Sequence, residues 1–197
     1  MIYSALVPVK SLDEAKSRLA TYLTRTQRAV LMLDLLHHVV YVLCKSAMLA
    51  DISIVSADER VLTQVRSWGV TALVEECAGH NPALTAAASQ LLATGTDVLL
   101  TISADLPLLQ PQHIQDMIEQ SKTHDIVLAA SQDGTGTNVI VVRPPLAVPY
   151  VFGINSLQRY QQEAQQRSLS ITTYISAGTA LDIDTINDII AIQQRAT

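Results

Sequence analysis

Cysteine is scarce in this sequence, with only Cys44 and Cys77 in 197 residues. Two cysteines with no metal-like spacing and no secretory context exclude a disulfide framework and a zinc ribbon, so reduced thiols are expected. A basic excess is also missing. Thirteen Lys and Arg stand against eighteen Asp and Glu, for a net charge of -5, the reverse of a nucleic-acid surface. Met1 to Lys10 lacks a basic n-region, and its apolar run reads as a strand rather than a signal peptide. The greasiest stretch, Ala29 to Leu43, is broken by Asp34, His37 and His38 and is too short to span a bilayer. A cytoplasmic protein with neither membrane nor nucleic acid among its partners is expected. The chain also lacks a Walker A lysine motif, G-x-G-x-x-G, H-E-x-x-H and G-x-S-x-G. P-loop, hydride-transfer and hydrolase readings lose support accordingly.

What is there suits one sizeable core, a single domain over residues 1–197. Ile2–Val9, Asp51–Ser56, Val70–Glu75 and Val98–Ile102 read as strands, and helices are predicted at Arg25–Ser46, Asp58–Trp68, Ala83–Ala93 and Pro111 to about Lys122. That alternation predicts a three-layer α/β/α architecture on a mainly parallel sheet. Cys77–Pro82 and Gln132–Asn138 read as loops, with a strand from Val139 and later elements at Ser156–Arg167, Leu169–Ile175 and the carboxyl end. The helix from Arg25 is apolar around most of its circumference, which predicts burial on more than one side, against the sheet and a second subunit. His37 and His38 diverge by roughly 100° on a helix and cannot share a metal.

Three features carry chemistry. Val98 to Ile102 runs into Ser103, Ala104, Asp105 and Pro107, so Asp105 stands at the carboxyl end of a central strand, where open α/β sheets bind ligands. On the plainer reading Asp105 caps a turn. Asp182 and Asp184, two apart in an extended segment, point to one face. With Asp105 they make an oxygen-rich set suited to Mg²⁺. Thr185 and Asp188 equally resemble a helix cap, which would place Asp184 just before it. D-G-T-G-T-N, Asp133 to Asn138, is either a hairpin turn or a cradle of amides and hydroxyls for an anion. Lys10, Lys16 and Arg18 follow the first strand, on the same edge as Asp105. Cations therefore face carboxylates at one mouth, as phosphoryl or nucleotidyl transfer requires.

V-P-V-K (Val7–Lys10), K-S-R-L (Lys16–Leu19), A-D-L-P (Ala104–Pro107), D-G-x-G-T-N (Asp133–Asn138), F-G-x-x-S (Phe152–Ser156) and D-I-D-T (Asp182–Thr185) occur in that order. As an ordered set spanning the chain, they resemble the CofC/FbiD guanylyltransferases of coenzyme F-420 biosynthesis. The resemblance implies a GT-A-like nucleotidyltransferase fold. It also implies a reaction in which the phosphate of a three-carbon phospho-acid attacks the α-phosphorus of GTP and expels pyrophosphate. The acid would be phosphoenolpyruvate, 2-phospho-L-lactate or 3-phospho-D-glycerate. By the same resemblance Asp105, Asp182 and Asp184 would hold Mg²⁺, and Thr137, Gly153 and Ser156 would bind the acid. Lys10, Lys16 and Arg18 would face the triphosphate, with Asn81 near the guanine nucleotide. The chain reads G-H-N-P-A-L around Asn81 where the family has G-L-N-x-A-L, so His80 and Pro82 are departures. His80 and His113 read as structural or peripheral. Relatives with other acceptors open with a glycine-rich loop after the first strand, and this chain carries K-S-L-D-E-A-K-S-R there. A molybdenum-cofactor or sugar-phosphate nucleotidyltransferase, and a non-catalytic nucleotide-binding domain, are the alternatives.

Overall fold

The computed structural model describes residues 1–195. Strands β1 (Tyr3–Pro8), β2 (Asp51–Ser56), β3 (Thr71–Val74), β4 (Val98–Ile102), β5 (Ile126–Ala130), β6 (Thr137–Val142) and β7 (Ile171–Tyr174) form one sheet, in the order β3-β2-β1-β4-β6-β5-β7. The helices are α1 (Arg25–Ser46), α2 (Glu59–Ser67), α3 (His80–Ala93), α4 (Pro111–Gln120), α5 (Ser156–Gln166), α6 (Ala177–Ala180) and α7 (Ile186–Arg195). β1 pairs in parallel with β2 and β4, β2 with β3, and β5 with β7, while β6 runs antiparallel to both β4 and β5. The reversal has a simple cause. Only residues 131–136 separate β5 from β6, and a parallel return needs a crossover of a dozen residues or more.

Alternation along the strands builds the layers. Ala5, Val7, Leu100, Ile102, Val127 and Val141 face one side, under α1, α2 and α4. Leu6, Val55 and Leu99 face α3 on the other side, and Ile126, Leu128 and Ile140 face α5. The expected α/β/α layering results. Each fully buried leucine or isoleucine contributes roughly 1.5–3 kcal/mol.

α1 spans 22 residues, so by length and composition it could cross a membrane, and length is not what argues against that. Met32, Leu36, Val39 and Leu43 instead pack into the core. Its second apolar side is met in part by the chain itself. Leu31 and Leu35 pack with Leu19, Ile183, Ile186, Ile189 and Ile192, which brings α7 and the loop after β1 together.

Three local expectations need correction. The loop expected through Pro82 ends earlier, because α3 begins at His80. Pro82 falls in the first turn, where its missing N–H would have had no helical partner. β6 begins at Thr137 rather than Val139, pairing Thr137 with Ala130 across a register shift. The short helix α6, capped by the Ser176 hydroxyl on the Gly178 N–H, was not expected. A Cβ on Gly178 would lie 2.0 Å from His113 Cε1, so His113 packs where only glycine fits.

Candidate active site

β1 and β4 are adjacent and parallel, so the segments leaving them emerge at the same edge of the sheet. The loop after β1 is fastened there by Asp58, the N-cap of α2, which accepts from the Leu12 N–H at 2.9 Å and the Ser11 hydroxyl at 3.3 Å. Leu12 and Leu19 are buried, and Lys16 between them adopts a left-handed backbone with φ 52°. This turns the Lys16 side chain inward until only 4% of it is exposed.

Lys16 Nζ donates to Asp105 Oδ2 and, at 3.3 Å, to Asp184 Oδ1. Arg18 donates to the other oxygen of Asp184 at 3.2 Å. Lys10 makes no ion pair among the described residues and stands exposed at the mouth. The segment bearing Asp182 and Asp184 is tied to Asp105 through the main chain, where the Ile183 N–H donates to the Asp105 carbonyl at 3.2 Å. The Asp188 carboxylate accepts from the Asp184 and Thr185 amides at 3.0 and 2.6 Å. The cap therefore exists, and the Asp184 carboxylate is left for the cluster.

Asp105, Asp182 and Asp184 each place a carboxylate oxygen within 4.8 Å of the others. Burial pushes the Asp182 carboxyl up, and the charges of Asp105 and Asp184 push it further the same way. Three partly buried carboxylates, paired with Lys16 and Arg18 among the described residues, form a hard-oxygen donor set. That set fits a divalent cation such as Mg²⁺ or Mn²⁺, which favours carboxylate oxygens.

A cavity of about 360 Å³ opens over Lys16, Asp105 and Ser103, and a larger one of about 950 Å³ continues from it towards Thr137, Gly153 and Ser156. Lys10, Arg18, His80, Ser103, Phe152 and Asp184 line both and form the seam. In the larger cavity the Ser156 hydroxyl donates to Thr137 Oγ1 at 3.2 Å, and both residues are buried. Ser156 opens α5, whose first amides are engaged: the Ser156 N–H donates to the Gly153 carbonyl and the Leu157 N–H to the Thr135 carbonyl, both at 3.1 Å. Gly153, at φ +119°, makes the turn that leads into the helix.

The glycine loop divides between its two readings. Asp133 accepts from Thr135 N–H (2.9 Å), the Thr135 hydroxyl (2.9 Å) and the Ser131 hydroxyl (2.7 Å). These bonds, led by the Thr135 amide, hold its carboxyl down at about 2. Those donors are consumed within the turn, which leaves Thr137 as the hydroxyl of this stretch that meets Ser156.

Lys10, Lys16, Arg18, Asp105, Thr137, Gly153, Ser156, Asp182 and Asp184 thus all line one continuous cleft. Asn81 does not: both polar groups of its side chain are bonded to the Phe152 main chain. Sequence reasoning missed Asn138, whose amide donates to the carbonyls of Thr179 and Ala180 and, at 3.4 Å, to Asp182 Oδ1. It also set His80 aside. His80 packs its ring against Phe152 at the seam, and desolvation of the ring, followed by the Lys10 charge, lowers its pKa. The departure from the family's leucine was the available signal for His80.

The profile of the family described as "Guanylyl transferase CofC like" matches residues 3–194. A phosphoenolpyruvate guanylyltransferase of Sphaerobacter thermophilus is 36% identical over 94% of this chain and 89% of its own length. A 2-phospho-L-lactate guanylyltransferase of Methanocaldococcus sp. is 28% identical over 93% of this chain and 78% of its own. Among solved structures, a Desulfovibrio desulfuricans G20 protein assigned as a nucleotide-diphospho-sugar transferase superposes with TM-score 0.85 at 16% identity. It covers all of this chain and 89% of its own, a likeness of fold.

Proposed function

The chain belongs to the CofC-like guanylyltransferase family, and from that premise we propose that it joins GMP from GTP to the phosphate of a three-carbon phospho-acid, releasing pyrophosphate. Phosphoenolpyruvate is the favoured acid, because the relative bearing that name is more similar than the phospholactate enzyme. The observation that carries the reading is the meeting of Asp105, Asp182 and Asp184 with Lys16 and Arg18 at the mouth of the sheet.

In this reading Lys10, Lys16 and Arg18 neutralise the triphosphate in the smaller cavity. Thr137, Gly153 and Ser156 seat the acid's phosphate in the larger one. A divalent ion, Mg²⁺ in this proposal, held by Asp105, Asp182 and Asp184 would supply charge neutralisation at the reacting phosphate. An oxygen of the acid's phosphate forms the new bond to the α-phosphorus. The bond from that phosphorus to the bridging oxygen of the β-phosphate breaks, and pyrophosphate leaves with the electron pair. The attacking phosphate is already ionised, so no side chain has to remove a proton. The chain's contribution is position and charge: Lys16 is fixed by burial, and Arg18 stands exposed beside Asp184 at the mouth. We propose further that the product feeds coenzyme F-420 biosynthesis and that the enzyme is a cytoplasmic single-domain protein, with the exposed Val30 and Tyr41 of α1 favouring a homodimer.

Pyrophosphate release from GTP, measured with phosphoenolpyruvate, 2-phospho-L-lactate and 3-phospho-D-glycerate, with mass spectrometry of the product, tests the proposal. The phosphoenolpyruvate adduct is the expected product. Tight GTP binding without pyrophosphate release from any of the three acids would instead favour a non-catalytic domain.

A further inference from the structure

Asn81 Oδ1 accepts the Phe152 N–H at 3.0 Å, and its Nδ2 donates to the Phe152 carbonyl at 3.1 Å. One side-chain amide thereby satisfies both main-chain groups of a loop residue, fixing it as a neighbouring strand would. The two ends of this clamp belong to different parts of the molecule. Asn81 lies in the first turn of α3, which is anchored to β1, β2 and β4 through Leu84, Ala87 and Ala88. Phe152 opens the segment that bears Gly153 and Ser156.

The ring of Phe152 is held as well. His80 approaches it edge-on at 5.6 Å, Tyr150 stacks at 5.9 Å, and Tyr160 meets it at 5.5 Å. Beyond Phe152 the next main-chain ties are Ser156 N–H to the Gly153 carbonyl and Leu157 N–H to the Thr135 carbonyl, both at 3.1 Å, so Phe152 is the near end of a short span. Gly153 and Asn155 both take positive φ, and Ile154 is 88% exposed. The path into Ser156 is therefore set at one end by the clamp of Asn81 on Phe152 and at the other by the Leu157–Thr135 bond.

We propose that Asn81 is a positioning residue for the Thr137–Ser156 pocket, acting from α3 through the Phe152 main chain rather than by reading the nucleotide. This rests on the preceding reading only in taking the occupant of that pocket to be the phospho-acid. With both polar groups of its side chain engaged at Phe152, contact with a base would require the clamp to open.

Two variants and two readouts test it. Amide hydrogen exchange at Phe152 in the nucleotide-free protein reports the clamp, and the separate KM values for GTP and phosphoenolpyruvate report its use. Asn81→Ala is expected to speed Phe152 exchange at least about tenfold and to raise the phospho-acid KM by about tenfold, with the GTP KM within about twofold. Asn81→Asp keeps an acceptor for the Phe152 N–H and loses the donor to its carbonyl, so exchange and phospho-acid KM should fall between wild type and Asn81→Ala. A variant that raises the GTP KM and spares the phospho-acid KM would overturn the proposal, as would unchanged exchange at Phe152. Wild-type protein silent with every acid would overturn the proposed reaction instead, leaving the exchange measurement to decide the clamp.

Discussion

The two halves of the sheet are held together differently. In β1 to β4 each strand after the first follows a helix, and the elements are fastened by apolar contacts on both faces. From β5 onward an apolar cluster still packs under α5, and long-range polar staples are added to it. Asp125 bonds the Ser170 amide and hydroxyl, Asp133 closes the glycine loop, and Asn138 reaches the carbonyls of Thr179 and Ala180. The first half supplies Lys10, Lys16, Arg18 and Asp105 as a direct result of parallel strand order. The second supplies Asp182, Asp184 and the Thr137–Ser156 pair, and these reach the same cleft only through long-range bonds. The lesson is one of division: the cations and one carboxylate come from the parallel half, and the other two carboxylates and the hydroxyls from a stapled half folded back onto it.

The sharpest way to break that division is at the place where the halves meet. Asp105→Ala should keep the fold and lower turnover by roughly 10²–10⁴, about 3–5 kcal/mol. Asp182→Ala should do nearly the same, and the double variant should be little worse than either, since both act on one centre. Additive losses in kcat for pyrophosphate release would mean that the two aspartates work separately.

The fastening of the basic loop comes next in size. Asp58→Ala removes a helix cap and the acceptor for Leu12 N–H, an expected loss of about 2–3 kcal/mol in urea unfolding. The Arg60 guanidinium, with help from the Leu12 amide, holds the Asp58 carboxyl well below its ordinary 3.8. A carboxyl depressed in the folded state contributes stability above its unfolded value and loses it as pH falls. The stability gap between wild type and Asp58→Ala should therefore be constant near neutrality and narrow progressively below about pH 4.

In the stapled half, Thr137→Val keeps the shape of the side chain and removes the hydroxyl that pairs with Ser156. We expect the phospho-acid KM to rise about tenfold, or ~1.4 kcal/mol, with the GTP KM little changed. Equal changes in both would mean that the two cavities act as one site. The smallest effect tests the donor set without turnover. Magnesium at tenfold over its dissociation constant should stabilise the wild type by about 1.4 kcal/mol, a few degrees in Tm, and should not stabilise Asp105→Ala.

The legible parts follow the same division. β2, β4 and α1 fall where their apolar runs predict them, because each run is a pattern among residues near in sequence. The start of α3 was not legible. His80 and Asn81 carry loop-like neighbours in Gly79 and Pro82, and it is their contacts with Phe152, 71 residues away, that show what the first turn does. Lys16 was legible as a cation but not as the buried partner of Asp105. Its left-handed backbone and the contact of Leu19 with α7 turn it inward, and neither has a local signature. The second subunit expected over α1 was partly replaced by α7, because an apolar face records that it must be covered and not by what.

Residue order alone determined the layered architecture, the strand that presents Asp105, the paired aspartates near the carboxyl end and the family. These follow from side-chain periodicity and from motifs whose residues are neighbours along the chain. Tertiary structure alone decided that Lys16 lies between Asp105 and Asp184, that Asn138 steadies Asp182, and that Asn81 grips Phe152. Each of those contacts joins residues more than forty positions apart. Hydrogen bonds and ion pairs act over a few ångströms of space, and only the folded chain brings such residues within that range.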